Sequence, residues 1–192
     1  MTSAAISQRV LPRTIATAVV LVVMAAAITA VAAQWRIQLP FTPVPITGQT
    51  FAVLLTGAAL GMRLGAAGQL LYVAAGSLGA PVFSEASGGF DVVTGATGGY
   101  LVGFIFAAGL VGWMAEHRQD RTFPTMFTAF IVGSAVIYFF GVVGLIAAAD
   151  MSASEGIANG VVPFVFGDVI KAATAGLVLP GAWRLLGESG QR

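Results

Sequence analysis

The chain has 192 residues, of which 57% are hydrophobic and 9% charged, with a formal charge of +1 and a mean hydropathy of +0.91. Soluble domains carry roughly 25% charged residues, so this composition is that of an integral membrane protein. The small net charge and the lack of any basic cluster exclude nucleic acid as a partner, and the absence of cysteine excludes disulfides and thiol chemistry.

The first apolar run is Ile15 to Ala33, preceded by Arg9 and Arg13. It exceeds the apolar region of about 7–15 residues in a secretory signal, so despite small residues at Ala30 and Ala32 it reads as a membrane-spanning anchor. Pro40, Pro43 and Pro45 follow in "PFTPVPITGQTF". Proline presets φ and biases its preceding residue toward extended geometry, which predicts a stiff, non-helical connection here. Thr47 to Phe83 would reach about 55 Å as one helix, well beyond the ~30 Å hydrocarbon core. The interruption at Gly61-Met62-Arg63-Leu64-Gly65 instead predicts a hairpin of two short helices turning at Arg63.

A polar, glycine-rich segment, "FSEASGGFDVVTGATGGY", leads into a fourth apolar run that ends at Ala115. The charged loop "EHRQDR", which includes the lone His117, precedes a fifth span from Phe123 to Ala149. "DMSASEGIANG" then separates it from a sixth, Val161 to Leu186. Pro124 and Pro163 fall near helix starts, where a missing N–H costs least. The expected fold is all-α: one domain, residues 1–192, of six transmembrane helices.

Cytoplasmic loops are enriched in Lys and Arg. With both termini in the cytoplasm, Arg9, Arg13, Arg63, Arg118, Arg121, Arg184 and Arg192 all lie inside, leaving Arg36 in an outer connection and Lys171 within a span. Merging the second and third spans would put Arg118 and Arg121 outside, so the charge pattern favours six crossings. The outer connections are then residues 34–47, 83–93 and 150–160.

Small residues recur at four-residue spacing in Gly57, Gly61 and Gly65, in Gly95, Gly99 and Gly103, and in Ala26 with Ala30. Such ridges let helices approach closely in lipid. The glycine sets suit packing inside the bundle; Ala26 and Ala30, on a terminal helix, suit either that or a free face for a partner helix.

Asp168 and Lys171, in "PFVFGDVIKAATAG", are the ionisable residues well inside the predicted spans. At i, i+3 they share a helix face, and each would cost about 2.5–3.5 kcal/mol at mid-bilayer if unpaired. They form either a self-neutralised pair that fixes packing or a site facing a cavity open to the outside. In the second case the ammonium suits a carboxylate tail and the aspartate an N–H-rich head group. Gln49 and Thr47 stand at the outer mouth of the second span, while Phe41, Phe83 and Tyr100 are either pocket walls or interfacial anchors. No nucleotide-binding loop, metal-ligand cluster or nucleophile–base pair is present, so neither catalytic residues nor a metal site is expected.

"LPFTPVPITGQTFAVLLTGAALG", "GQLLYVAAGSLGAPVF", "TGGYLVGF" and "PFVFGDVIKAATA" together resemble the BioY family, the biotin-specific substrate-binding (S) subunits of energy-coupling-factor (ECF) transporters. The resemblance spans residues 39 to 175. It implies a multi-pass protein of the cell membrane that holds biotin as transported ligand, without a cofactor, beneath its first, third and fifth connections. Partners would be a transmembrane coupling (T) subunit, docked on Ala26 and Ala30, and cytoplasmic ABC-type ATPases. Asp168 then corresponds to the aspartate that meets the ureido ring and Lys171 to the lysine that meets the valerate carboxylate. Gln49, Ser84, Phe83 and Tyr100 form the expected walls, and the proline-rich stretch a gate from which Phe41 and Gln49 reach inward. Two stretches depart from the family pattern: Ala96 replaces a proline, and Ser84 and Glu85 stand where an amide-type ureido contact is expected. The alternatives are a self-contained carrier or facilitator for biotin or another small organic anion, and a membrane scaffold in which the pair is structural.

Overall fold

In a computed structural model of the protein, which describes residues 5–12 and 14–186, the chain is mainly helical. In chain order the helices are α1 (Ile6–Val10), α2 (Ile15–Gln34), α3 (Gln49–Leu60), α4 (Met62–Ser77), α5 (Phe90–Thr94), α6 (Gly98–Glu116), α7 (Phe123–Ala149), α8 (Ala153–Gly160) and α9 (Val162–Leu185). Among these, α2, α6, α7 and α9 are long and apolar enough to cross a membrane. α3 and α4, with 12 and 16 residues, are shorter.

The predicted break between the second and third spans is real, but the turn is at Gly61 rather than Arg63. Gly61 has φ 86°, a conformation that side chains rarely adopt, and Arg63 already belongs to α4. Residues symmetric about that turn face one another: a Cβ on Gly65 would stand 2.8 Å from the Gly57 Cα, and Gln49 Nε2 donates to the Tyr72 hydroxyl at 2.8 Å. The glycine ridges thus serve internal packing. A Cβ on Gly57 would sit 2.6 Å from the Ala108 carbonyl of α6, and one on Gly99 would run into the Phe140 carbonyl of α7. Gly95 is different, because it lies in the connection after α5 rather than on the α6 ridge.

The connections carry more structure than the sequence reading expected. The proline-rich stretch is flanked by a small antiparallel ribbon of β1 (Arg36–Ile37) and β2 (Ile46–Thr47), with Arg36 opposite Thr47 and Ile37 opposite Ile46. Residues 150–160 form α8, opened by a capping box in which Ser152 and Glu155 satisfy each other's backbone N–H groups. Pro124 and Pro163 occupy the first turns of α7 and α9, as expected.

The small-residue face of α2 turns inward. Ala25 and Thr29 are buried, and Ala25 packs so closely on Gly68 of α4 that a Cβ there would lie 2.6 Å from it. Ala26 and Ala30, beside them on α2, are half-buried and pack against this same core. Small side chains meet the glycines of α4, while Val19, Val20, Val23 and Val31 face outward.

The two ends of the bundle differ in charge. Arg63, Arg118, Arg121 and Arg184 sit at the end formed by the Gly61 turn, the α6–α7 loop and the end of α9. Arg13, Arg192 and the Arg9 side chain lie outside the described residues. The "EHRQDR" loop is not simply solvated. Asp120 is fully buried, accepts from Trp183 Nε1 at 2.5 Å and from Arg121 Nε at 3.2 Å, and the Arg121 guanidinium lies over the Trp183 ring. Burial pushes the Asp120 carboxyl above its ordinary range despite these donors.

Candidate functional site

At the opposite end, the starts of α3, α6 and α9 converge beneath the β-ribbon and the 83–87 bend, enclosing a cavity of about 350 Å³. That volume falls within the roughly 300–1,000 Å³ of small-molecule sites. Asp168 and Lys171 both line it, as do Gln49, Phe83, Ser84 and Tyr100.

Asp168 is 4% exposed, a depth at which a carboxylate needs several donors. Its Oδ1 accepts from Lys171 Nζ at 2.9 Å and from the Thr50 hydroxyl at 3.2 Å, and its Oδ2 from the Tyr138 hydroxyl at 2.8 Å. Lys171 Nζ also donates to Thr50 Oγ1 at 2.6 Å and to the Thr47 carbonyl at 3.1 Å. All three ammonium donors are therefore engaged, whereas a carboxylate offers about four acceptor positions, so one remains on Asp168. The two readings of this pair converge: it is self-neutralised, and it also forms part of a cavity wall.

The walls are fixed from outside the cavity. Gln49, 6% exposed, is held by the Tyr72 hydroxyl and by the Thr47 hydroxyl, which donates to its Oε1 at 3.0 Å. Phe83 packs edge-on to Tyr72 and lies on Gly76, where any side chain would displace its ring. Tyr100 donates to the Gly160 carbonyl at 2.7 Å, joining α6 to the end of α8. The Thr42 hydroxyl donates to the Asn159 carbonyl at 2.8 Å, so the first and fifth connections meet over the cavity.

Phe41 does not reach inward: it is 64% exposed and outside the cavity lining. The chain turns at residues 40–41 and bends at 43–44, and Thr42 and Val44 take the buried positions, leaving Phe41 outside. Pro43, Val44 and Pro45 contribute to the cavity wall in its place. Glu85, a concern for an anionic ligand, forms an ion pair with Arg36 at the cavity mouth.

The sequence reading missed Thr50, Tyr138 and Phe164 as lining residues. Thr50 follows Gln49 in the first turn of α3, and its place beside the polar residues Thr47 and Gln49 could have found it. Tyr138 carried no signal, being one aromatic among many in a uniformly apolar span.

The BioY family model matches residues 3–188. The chain belongs to the BioY family. It is 38% identical over 143 residues to the biotin transporter BioY of Thermotoga maritima, an alignment that covers 74% of this chain and 82% of that protein. It is 37% identical to the biotin transporter BioY of Rhizobium etli, covering 74% and 79% of the two chains. A probable biotin transporter BioY of Pyrococcus horikoshii is also 37% identical, covering 82% of this chain and 91% of the other. The fold is that of a crystal structure of the S-component for biotin from an ECF-type ABC transporter, with a TM-score of 0.78 at 22% identity, over 91% of this chain and 93% of that one.

Proposed function

We propose that this BioY-family chain takes up biotin as the membrane-embedded substrate-binding subunit of a vitamin importer. The observation that carries this reading is the Asp168–Lys171 pair on the wall of a closed-in cavity, in a chain whose relatives are biotin transporters. Asp168 accepts from a ureido N–H of biotin and Lys171 meets the valerate carboxylate. Gln49, Ser84, Phe83 and Tyr100 line the space between. Exchanging a neutral partner of the ammonium, such as the Thr47 carbonyl, for a carboxylate is favourable, because hydrogen bonds between two charged groups are roughly twice as strong as neutral ones. The two ends of biotin are separated by a second ring and a four-carbon chain. An extended ligand therefore cannot meet both residues while Lys171 Nζ stands 2.9 Å from Asp168, and occupation draws the lysine away.

The chain forms one domain that crosses the cell membrane six times. α3 and α4 supply a short helical hairpin in place of two full-length spans. The arginine-rich end faces the cytoplasm and the cavity end faces outward, following the rule that cytoplasmic loops carry excess Lys and Arg. With no nucleotide-binding loop of its own, the chain relies on a transmembrane coupling subunit and cytoplasmic ABC-type ATPases for energy. The self-contained carrier for another anion lacks an observation in its favour.

The test is a biotin-binding isotherm on the purified chain, with Lys171→Ala beside it. Tight binding that Lys171→Ala weakens by about 10- to 100-fold, the worth of a hydrogen bond to a charged group, supports the reading. Absence of binding, or a variant that binds as well as the wild type, overturns it.

A further inference from the structure

The 83–87 bend that forms one cavity wall is held in an unfavourable backbone conformation. Glu85 and Ala86 are consecutive non-glycine residues at φ 63° and 49°, where a Cβ crowds the following carbonyl. Residues of this kind persist only where the surroundings over-determine them. The bend supplies part of that itself, since Phe83 N donates to the Ser87 carbonyl at 2.9 Å and the Ser87 hydroxyl to the Ser84 carbonyl at 2.6 Å. The remainder comes from Gln34, the last residue of α2.

Gln34 uses both ends of its amide. Nε2 donates to the Phe83 carbonyl at 3.0 Å, and Oε1 accepts from the Ala86 N–H at 3.1 Å. One planar group thus spans the bend and satisfies the amide of a strained residue. A second bond from Nε2 to the Ala30 carbonyl, also 3.0 Å, anchors the side chain to its own helix. Within this clasp Ser84 belongs to the cavity lining, and its hydroxyl is buried with no hydrogen-bond partner among the described residues. A buried hydroxyl without a partner is costly, and a polar ligand group in the cavity that Ser84 lines would relieve that cost.

We propose that Gln34 is a positioning residue of the binding site: its amide holds the strained bend and so presents the Ser84 hydroxyl to the polar ring of the ligand. The residue itself lies outside the cavity lining. The proposal rests on the biotin reading above for the identity of that ring, but not for the clasp.

Two measurements on the full-length protein test it. The first is amide hydrogen exchange across residues 84–87 without ligand, where Gln34→Ala accelerates exchange in that segment and leaves the α6 and α7 interiors protected. The second is a mutant cycle on biotin affinity. Gln34→Ala raises Kd by about 5- to 50-fold, loses most of that effect in a Ser84→Ala background, and keeps it in a Lys171→Ala background, because residues acting through one contact are non-additive and independent ones add. Unchanged exchange overturns the clasp whether or not biotin binds. Additivity of Gln34→Ala with Ser84→Ala overturns the ligand contact. Failure of the wild-type chain to bind biotin overturns the proposed function and that contact together, and the exchange measurement still decides the clasp.

Discussion

The Tyr138 hydroxyl lies 2.8 Å from Asp168 Oδ2, joining α7 to α9 through a carboxylate that is almost wholly buried. Removing the donor while keeping the ring leaves that oxygen without a partner, at a cost of about 1–3 kcal/mol. Tyr138→Phe should therefore lower Tm by several degrees, at about 2–4 °C per kcal/mol for a chain of this size. A thermal-shift assay checks this, and an unchanged Tm would mean that the Tyr138 bond contributes nothing net.

Pro43 and Pro45 flank Val44, which is 5% exposed, in the segment that covers the cavity. A proline whose φ suits the fold stabilises by about 0.4–1 kcal/mol through the freedom it removes from the flexible chain. Pro43→Gly combined with Pro45→Gly restores that freedom to the cover. The expected result in stopped-flow or surface-binding kinetics is faster biotin release, by several-fold. Equal release rates would reduce the stretch to a connector.

Among the helix glycines, some permit close contact and others have open space beside them. A Cβ on Gly99 meets the Phe140 carbonyl and stands 3.0 Å from the Gly144 Cα, whereas Gly167 and Gly181 have nothing within 4 Å. Gly99→Ala should destabilise by about 1–3 kcal/mol as α6 and α7 are pushed apart. Gly181→Ala, in the last turns of α9, should be neutral or stabilising by up to about 1 kcal/mol, since alanine is the better helix former. Tm values of the two variants in parallel test the contrast, and equal shifts would contradict it.

Glu155 titrates below its ordinary 4.5 because the Ser152 hydroxyl and backbone N–H donate to its carboxylate, at 2.7 and 2.9 Å. Folding depresses this acid, so its support of α8 is complete above the unfolded pKa and is lost as pH falls through the folded one. Amide exchange in residues 153–160 should accelerate on acidification below about 4.5, the ordinary glutamate value. Ser152→Ala removes the hydroxyl half of the cap and keeps the backbone N–H, so the pH dependence in that range should weaken; if it is undiminished, the hydroxyl is not its source.

Much of the fold was legible because apolar run length is a strong signal in a membrane. The predicted fifth span coincides with α7, and the sixth is one residue longer at each end than α9. The turn falls at Gly61, two residues before the charged Arg63, because backbone sterics fix it at the glycine. The short helices α5 and α8 were read as irregular connections, although "SASE" is a capping box in plain view. At the site, Asp168 and Lys171 were found because ionised groups in lipid are expensive and few. Tyr138 was not found, because a tyrosine among phenylalanines looks like packing until its hydroxyl has a partner.

The sequence by itself determined that this chain lives in a bilayer, where α2, α7 and α9 begin and end to within a turn, and that one charged pair needs a reason for its depth. Those conclusions depend on local quantities: apolar run length, proline geometry and the solvation cost of a charge. The tertiary structure alone decided which groups meet. It turned the small residues of α2 onto α4, set Thr42 and Val44 inward with Phe41 outside, and brought Gln34 to the 83–87 bend from some fifty residues away in the chain. Such pairings depend on how whole helices lean on one another, and the alternation of a strand or the spacing of a helix leaves open which face finds a partner.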